Sequence, residues 1–194
     1  MRPTIENFTG TCRFVLAANY SSKIIDPIQA RCAVFRFRPL PEPDLRELAE
    51  YLVEKESLKV DDGAVDAIIA VSDGDYRRLT NIMQSCAAVS DTVTADLVYT
   101  MASVARPKEV KAFLELALKG DFVKARDALL DVMLRYGLSG VDMVKQIQKE
   151  VWGLDVDSRS KVSLVDKCGE FEFRMVEGAD EYVQLEALLA QFIL

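Results

Sequence analysis

From residue 44 onward, apolar residues recur at the spacing of an amphipathic helix, with short turn signals between the stretches. This pattern predicts four helices: 44–56, a second that Asp61 or Asp62 caps and that carries Val65, Ile68, Ile69 and Val71, then 75–89 and 94–101. Five more helices are predicted at 107–118, 121–136, 140–151, 158–176 and 179–193, separated in part by glycines. With only nine Gly and six Pro in 194 residues, the composition also favours helices with short connections over a sandwich or a barrel.

The first 38 residues have a different pattern. The apolar run at 12–18 and the alternating CAVFRF at 32–37 predict two strands, joined by a short helix over 21–31 that is bent at Pro27. Residues 1–9 are typical of the end of a polar helix whose earlier part is missing. A sheet of two strands is marginal in water, so we expect residues 1–38 to be the least stable region of the isolated chain.

The predicted architecture is therefore mainly α. It consists of a partial α/β remnant at 1–38 and two helical domains at 39–104 and 105–194.

The content of histidine and cysteine excludes several kinds of chemistry. No histidine is present, which excludes His-dependent nucleophile activation and two-His zinc motifs. The four cysteines are twenty or more residues apart, so no CxxC pair can bind a metal or exchange thiols; they are Cys12, Cys32, Cys86 and Cys168. With no apolar run of bilayer length and no signal-peptide pattern, we expect a reduced, cytoplasmic setting without a membrane.

Charge is unevenly distributed along the chain. Residues 1–38 carry six basic and two acidic side chains, whereas the rest carries 18 basic and 29 acidic ones. An acidic body disfavours non-specific DNA binding by the chain alone, and no helix has a concentrated basic face, so an independent DNA-binding regulator is poorly supported. The basic end either faces a phosphate within an assembly or is scattered solvated surface.

Three segments carry candidate site residues. In LAANYSSKI (16–24), Asn19 ends a predicted strand, where ligands bind in open α/β folds; the alternative is a turn asparagine. In PIQARC (27–32), Arg31 is placed to reach the phosphate of a neighbouring subunit, or is a plain surface residue. In SDGDYRRLTNIMQS (72–85), Arg77 and Arg78 follow Asp75 in the first turn of a helix. Cations there oppose the helix dipole and indicate an anionic partner or simple salt bridging.

In this order, the segments resemble the small subunit of the replication clamp loader of archaea and eukaryotes, an AAA+ ATPase, over essentially the whole chain. MRPTIENF resembles the helix after the acidic Walker B motif, with Arg2 at its first arginine and Pro3 replacing its second. NYSSKIIDPIQARC resembles the stretch from the sensor-1 asparagine to the Ser-Arg-Cys motif, with Ala30 in place of the serine. ALKGDFVKARDALLDVMLRYGLSGVDMV and EGADEYVQLEALLA are similar to the helical collar that holds the subunits in a ring.

The resemblance implies a role for each candidate residue. Arg31 corresponds to the arginine finger that acts in trans, Asn19 to sensor 1, and Arg77 to the sensor-2 arginine that contacts ATP phosphates. The implied partners are the large and small clamp-loader subunits, the sliding clamp and, through the assembly, primer-template DNA. The implied setting is cytoplasmic in an archaeon and nuclear in a eukaryote.

Two motifs of the family are absent from the sequence. There is no GxxxxGK[ST] phosphate loop and no acidic run after a strand to hold Mg²⁺. The resemblance therefore implies ATP and Mg²⁺ in a complete subunit or at the neighbour's site, and neither for this chain alone, which we expect not to hydrolyse ATP. The chain corresponds to about the C-terminal 60% of such a subunit.

A second hypothesis is a non-catalytic oligomerisation scaffold or regulator. The apolar positions of the last helix fit either an interface between subunits or an intramolecular core; they are Val183, Leu185, Leu188, Leu189 and Phe192.

Overall fold

A computed structural model describes residues 5, 7, 8 and 10–193 of the chain. The chain divides into two compact units, Met1–Arg38 and Pro39–Leu194. The predicted helix at 1–9, with Arg2 and Pro3, falls mostly outside the described residues. None of the described helices is both long and apolar enough to cross a membrane.

The first unit contains a 3₁₀ turn at Ser21–Lys23 and a short helix, α1, at Asp26–Gln29. The single bent helix predicted for 21–31 is therefore wrong. Pro27 lies in the first turn of α1, where its missing N–H is not needed, whereas in a continuous helix its ring would clash with the preceding turn. The Gln29 side-chain amide links the two pieces, since it donates to Ser21 O at 2.9 Å and to Ile24 O at 2.6 Å.

The two strands predicted at 12–18 and 32–37 are also wrong, because the described backbone there is neither strand nor helix. A strand is defined by hydrogen bonds to a neighbouring strand, and no described residue provides one for either segment. Their apolar side chains consequently lie open to solvent: Val15 is 93% exposed and Phe37 is 95% exposed.

The first part of the second unit is built from four helices around one core. The helices are α2 at Glu42–Lys55, α3 at Ala64–Ser72, α4 at Tyr76–Val89 and α5 at Ala95–Ala102. Their buried side chains, which run from Leu45 to Val98, form what we call the first core. These four helices were predicted. Side chains cap two of them, Asp75 for α4 and Thr94 for α5.

Two details of this region were not predicted. Lys59–Val60 (β1) pairs in parallel with Thr92–Val93 (β2), so the chain is not entirely helical after Pro43. Helix α3 begins after Gly63, whose φ of +90° is left-handed, and neither Asp61 nor Asp62 is its N-cap residue. Glycine adopts that backbone conformation without the steric cost that aspartate would incur.

The remaining five helices surround a second core. They are α6 at Pro107–Leu118, α7 at Phe122–Tyr136, α8 at Gly140–Val151, α9 at Ser158–Val176 and α10 at Glu181–Ala190. Helix α9 packs against α8, α6 packs against α7, and α10 contacts all four. The buried side chains from Ala105 to Phe192 form what we call the second core.

The last helix ends earlier than predicted, at Ala190 instead of residue 193. Its apolar positions belong mainly to the second core, because Leu185, Leu188, Leu189 and Phe192 are fully buried within the chain. Only Val183 of that predicted set is exposed, at 60%. The core interpretation therefore applies to four of the five positions.

Candidate functional site

Asn19 and Arg31 line one open groove of the first unit. The groove is formed by the segments on either side of α1, together with the turn that precedes it. Three further arginines line it, Arg13, Arg36 and Arg38. The sequence left two alternatives for these arginines, contact with a phosphate in an assembly or scattered solvated surface. Only folding shows that most of the basic charge of residues 1–38 converges on the groove that holds Asn19 and Arg31.

Arg31 follows the end of α1 and is exposed to solvent. Its Nη1 donates to the carbonyl oxygen of Pro27, one helical turn earlier, at 2.7 Å. Ala30 closes the helix in a right-handed conformation, and its N–H donates to Asp26 O at 2.8 Å. The guanidinium is therefore steered by the helix that precedes it while the side chain remains accessible.

Asn19 lies at a bend between the extended residues 12–18 and the 3₁₀ turn, and it is exposed. The prediction that it ends a strand at the edge of a sheet is wrong for the described structure, because the preceding segment pairs with no neighbour there. Its amide still offers both a donor and an acceptor to the groove. Asn19 and Arg31 are thus brought to one surface.

Arg77 lies in the second unit, in the first turn of α4. The Asp75 carboxylate accepts hydrogen bonds from the backbone N–H groups of Arg77 at 2.8 Å and of Arg78 at 3.2 Å. Both arginine side chains are exposed, and neither forms an ion pair within the described part of the chain. The two guanidinium groups are therefore accessible from solvent.

These residues fit contacts to a phosphate better than a complete nucleotide site. The guanidinium groups of Arg31 and Arg77 are planar, permanently charged donors that match phosphate oxygens. The sequence has no loop of the phosphate-binding type, and among the described residues no three His, Cys, Asp or Glu side chains are grouped as metal ligands. Arg31 and Arg77 can therefore donate to phosphate oxygens, and the Asn19 amide can donate or accept a hydrogen bond.

Comparison with known proteins places this chain among relatives of one kind. Residues 105–191 match the replication factor C C-terminal domain. The chain is 51% identical over 191 residues to the replication factor C small subunit of Methanococcus maripaludis (strain C7), covering 98% of this chain and 61% of that protein. It is 49% identical over 194 residues to the small subunit of Pyrococcus horikoshii, covering 100% of this chain and 23% of that protein.

A third relative, the replication factor C small subunit of Thermococcus kodakarensis, is 50% identical over 192 residues, covering 99% of this chain and 22% of that protein. This chain thus spans about three-fifths of the Methanococcus protein and less than a quarter of the other two. The similarity falls in the C-terminal part of these relatives.

Proposed function

Because this chain is related over its whole length to archaeal replication factor C small subunits and carries their C-terminal domain, we propose that it acts as a clamp-loader subunit. In this role it joins a ring of large and small subunits that uses ATP to place a sliding clamp on primer-template DNA.

The extent of the similarity is the observation that carries the proposal. A protein that served only to assemble subunits would need no more than the matched domain at residues 105–191. Instead, close to half of the residues are identical over 191 to 194 positions, a span that includes Asn19, Arg31 and Arg77. Residues 1–104 are related to the same relatives as the matched domain.

Arg31 is proposed to act as an arginine finger on ATP bound by the adjacent subunit. Its exposure and its position at the end of α1 support this role, since the side chain can leave Pro27 O for a stronger charged acceptor. A guanidinium near the γ-phosphate neutralises charge that develops during phosphoryl transfer. Such a group contributes roughly 10³–10⁵ in rate in related reactions.

Asn19 and Arg77 are proposed to sense the nucleotide. Asn19 shares the groove with Arg31 and orients the attacking water or contacts the γ-phosphate with its amide. Arg77 contacts phosphates of an ATP bound by its own subunit once another polypeptide supplies the phosphate loop. Among the described residues Arg77 forms no internal ion pair, which leaves its charge available. Transfer of the γ-phosphoryl group of ATP to water, with ADP as the leaving group, drives the cycle.

The decisive experiment titrates this chain into a small subunit that has its own phosphate loop but a disabled arginine finger. We expect ATP turnover to rise with the native chain and to remain at its basal rate with Arg31→Ala. The matched control is Arg13→Ala, which removes another groove arginine that has no assigned role. Equal turnover with the native chain and the Arg31→Ala variant would exclude the finger assignment.

A non-catalytic scaffold is the second candidate function. The segments at 12–18 and 32–37 favour it. They form no strand with any described residue, and a groove with such walls holds Arg31 less firmly than a sheet would. In the same titration, a scaffold co-migrates with the partner subunit during size-exclusion chromatography but gives no stimulation.

A further inference from the structure

The first and second cores meet at a small joint within the second unit. Tyr99 of α5 is the aromatic residue that packs against both cores. The chain passes from α5 to α6 through residues 103–106, and Ser103 adopts a left-handed φ of +49° there. Arg106 is the N-cap residue of α6. Because only residues 103–106 connect the two helices, the side-chain contacts of Arg106 bear directly on how α5 is held against α6.

Arg106 connects the two helices through its side chain. Its Nη2 forms an ion pair with Asp96 of α5, and its guanidinium lies 5.6 Å from the ring centroid of Tyr99. A second ion pair across the joint, between Lys149 and Asp73, is longer at 3.8 Å, and both of its side chains are exposed. The carboxylate is exposed in both pairs, so each pair contributes little by itself. The further contact with Tyr99 makes Arg106 the more firmly held of the two polar links.

A second acceptor for Arg106 lies on its own helix. Within the described residues, Arg106 Nε is buried and has no hydrogen-bond partner. The Glu109 carboxylate faces the phenol of Tyr136, which it stabilises in the protonated form. Glu109 is three residues after the N-cap, the position from which a glutamate reaches back to the start of a helix. Its oxygen Oε1 accepts from Arg135 Nη1 at 2.6 Å, so Glu109 is anchored to α7 of the second core.

A buried donor without an acceptor is costly to maintain, and the Glu109 carboxylate lies one helical turn away. Movement of the Arg106 side chain from Asp96 toward Glu109 would give Arg106 Nε a charged acceptor and would remove the ion pair with Asp96 of α5.

We propose that Arg106 is a two-position latch between the cores. With Asp96 it holds the first core against the second, and with Glu109 it releases the first core. The latch itself goes beyond the proposed function, and only its effect on nucleotide contact rests on that function. In a clamp loader, Arg77 lies on α4, a helix of the first core. The latch would therefore couple contact between Arg77 and a phosphate to the orientation of the last five helices.

The test measures the distance between the two cores by pulsed electron spin resonance. Spin labels are attached at Ser85→Cys on α4 and Ser163→Cys on α9, both exposed, in a chain whose exposed Cys12 and half-buried Cys32 are changed to Ser. We expect Asp96→Asn to raise the ratio of long to short distances about threefold. The factor is modest because the Asp96 side chain is 78% exposed. Glu109→Gln should lower the same ratio.

Asp66→Asn is the matched control, because it breaks an exposed ion pair with Arg46 that joins α2 to α3, two helices of the first core. It should leave the distances unchanged. Arg106→Lys keeps the charge but loses the planar guanidinium group. Its distance distribution should resemble that of Asp96→Asn. Thermal unfolding checks that each variant is folded. Identical distance distributions in Asp96→Asn, Glu109→Gln and the control would overturn the latch.

This experiment uses the chain alone, without ATP or partner subunits. Failure of the latch and failure of the clamp-loader assignment are therefore separate outcomes.

Discussion

The two units of this chain differ in how their apolar residues are used. In the second unit, the helices of residues 39–193 bury two continuous cores, and side chains such as Phe113 and Leu129 are fully enclosed. In the described part of the first unit, only Ile5 and Ile28 are buried hydrophobic residues, while Phe35 and Phe37 are largely exposed. Apolar content alone therefore does not produce a core. A helix satisfies its own backbone before it packs, whereas an apolar extended segment needs a neighbouring strand.

The largest expected contrast is in amide hydrogen exchange. No amide of residues 14–19 or 33–38 donates a backbone hydrogen bond to a described residue, whereas the amides of α8 are bonded within a buried helix. We expect the two extended segments to exchange at nearly unprotected rates and α8 to be slower by several orders of magnitude. Mass spectrometry of peptides from the intact chain measures both. Comparable protection in the two regions would contradict the difference in backbone hydrogen bonding between the two units.

Phenylalanine truncation should separate the units by several kcal/mol. Phe113→Ala empties a fully buried position of the second core and should lower the free energy of unfolding by about 3–5 kcal/mol. Phe37→Ala, at a position that is 95% exposed, should change it by less than about 0.5 kcal/mol. Urea unfolding followed by helical circular dichroism provides both values. A loss of similar size for Phe37→Ala would mean that the first unit has a core of its own.

A smaller effect concerns pH. Burial, and then the Glu109 carboxylate, raises the pKa of Tyr136 from 10.0 to about 12. Below pH 10 the phenol is protonated in both the folded and the unfolded chain. Between pH 10 and 12 only the unfolded chain loses the proton, so stability falls as pH rises, by about 2–3 kcal/mol at most.

The matched comparison uses Tyr136→Phe, which lacks this ionisation and should lose less stability than the native chain between pH 9 and 11. Tyr20→Phe is the control from the first unit, since Tyr20 is 64% exposed. Urea midpoints at each pH measure the difference. Parallel pH profiles for the native chain and Tyr136→Phe would contradict a buried, protonated Tyr136.

Most helices of the second unit could be predicted because their signals are local. Capping side chains mark several starts, as at Asp121, Ser139 and Asp157, and each accepts a backbone N–H of its own first turn. Helices 107–118, 140–151 and 158–176 have the predicted bounds. The start of α3 was missed because Gly63 acts through its backbone conformation, which no side-chain pattern reveals.

The candidate site was less predictable than the helices. Arg31, Asn19 and Arg77 were found through their motifs, and their functional roles stay predictions. The convergence of Arg13, Arg36 and Arg38 on the same groove was missed, although the basic excess of residues 1–38 was a signal for it. Residues 13 and 36 are far apart in the sequence, and only the path of the chain brings them together.

By itself, the sequence determined where helices form, which faces are apolar and which family the motifs resemble, because these properties depend on residues within a few turns of one another. Tertiary structure decided the remaining features. It gave residues 12–18 and 32–37 no partner strand among the described residues, joined Lys59–Val60 to Thr92–Val93, and paired Arg106 with Asp96 of the preceding helix. Each of these outcomes depends on whether a distant or neighbouring group is available to accept a hydrogen bond or a charge, and local spacing carries no information about that.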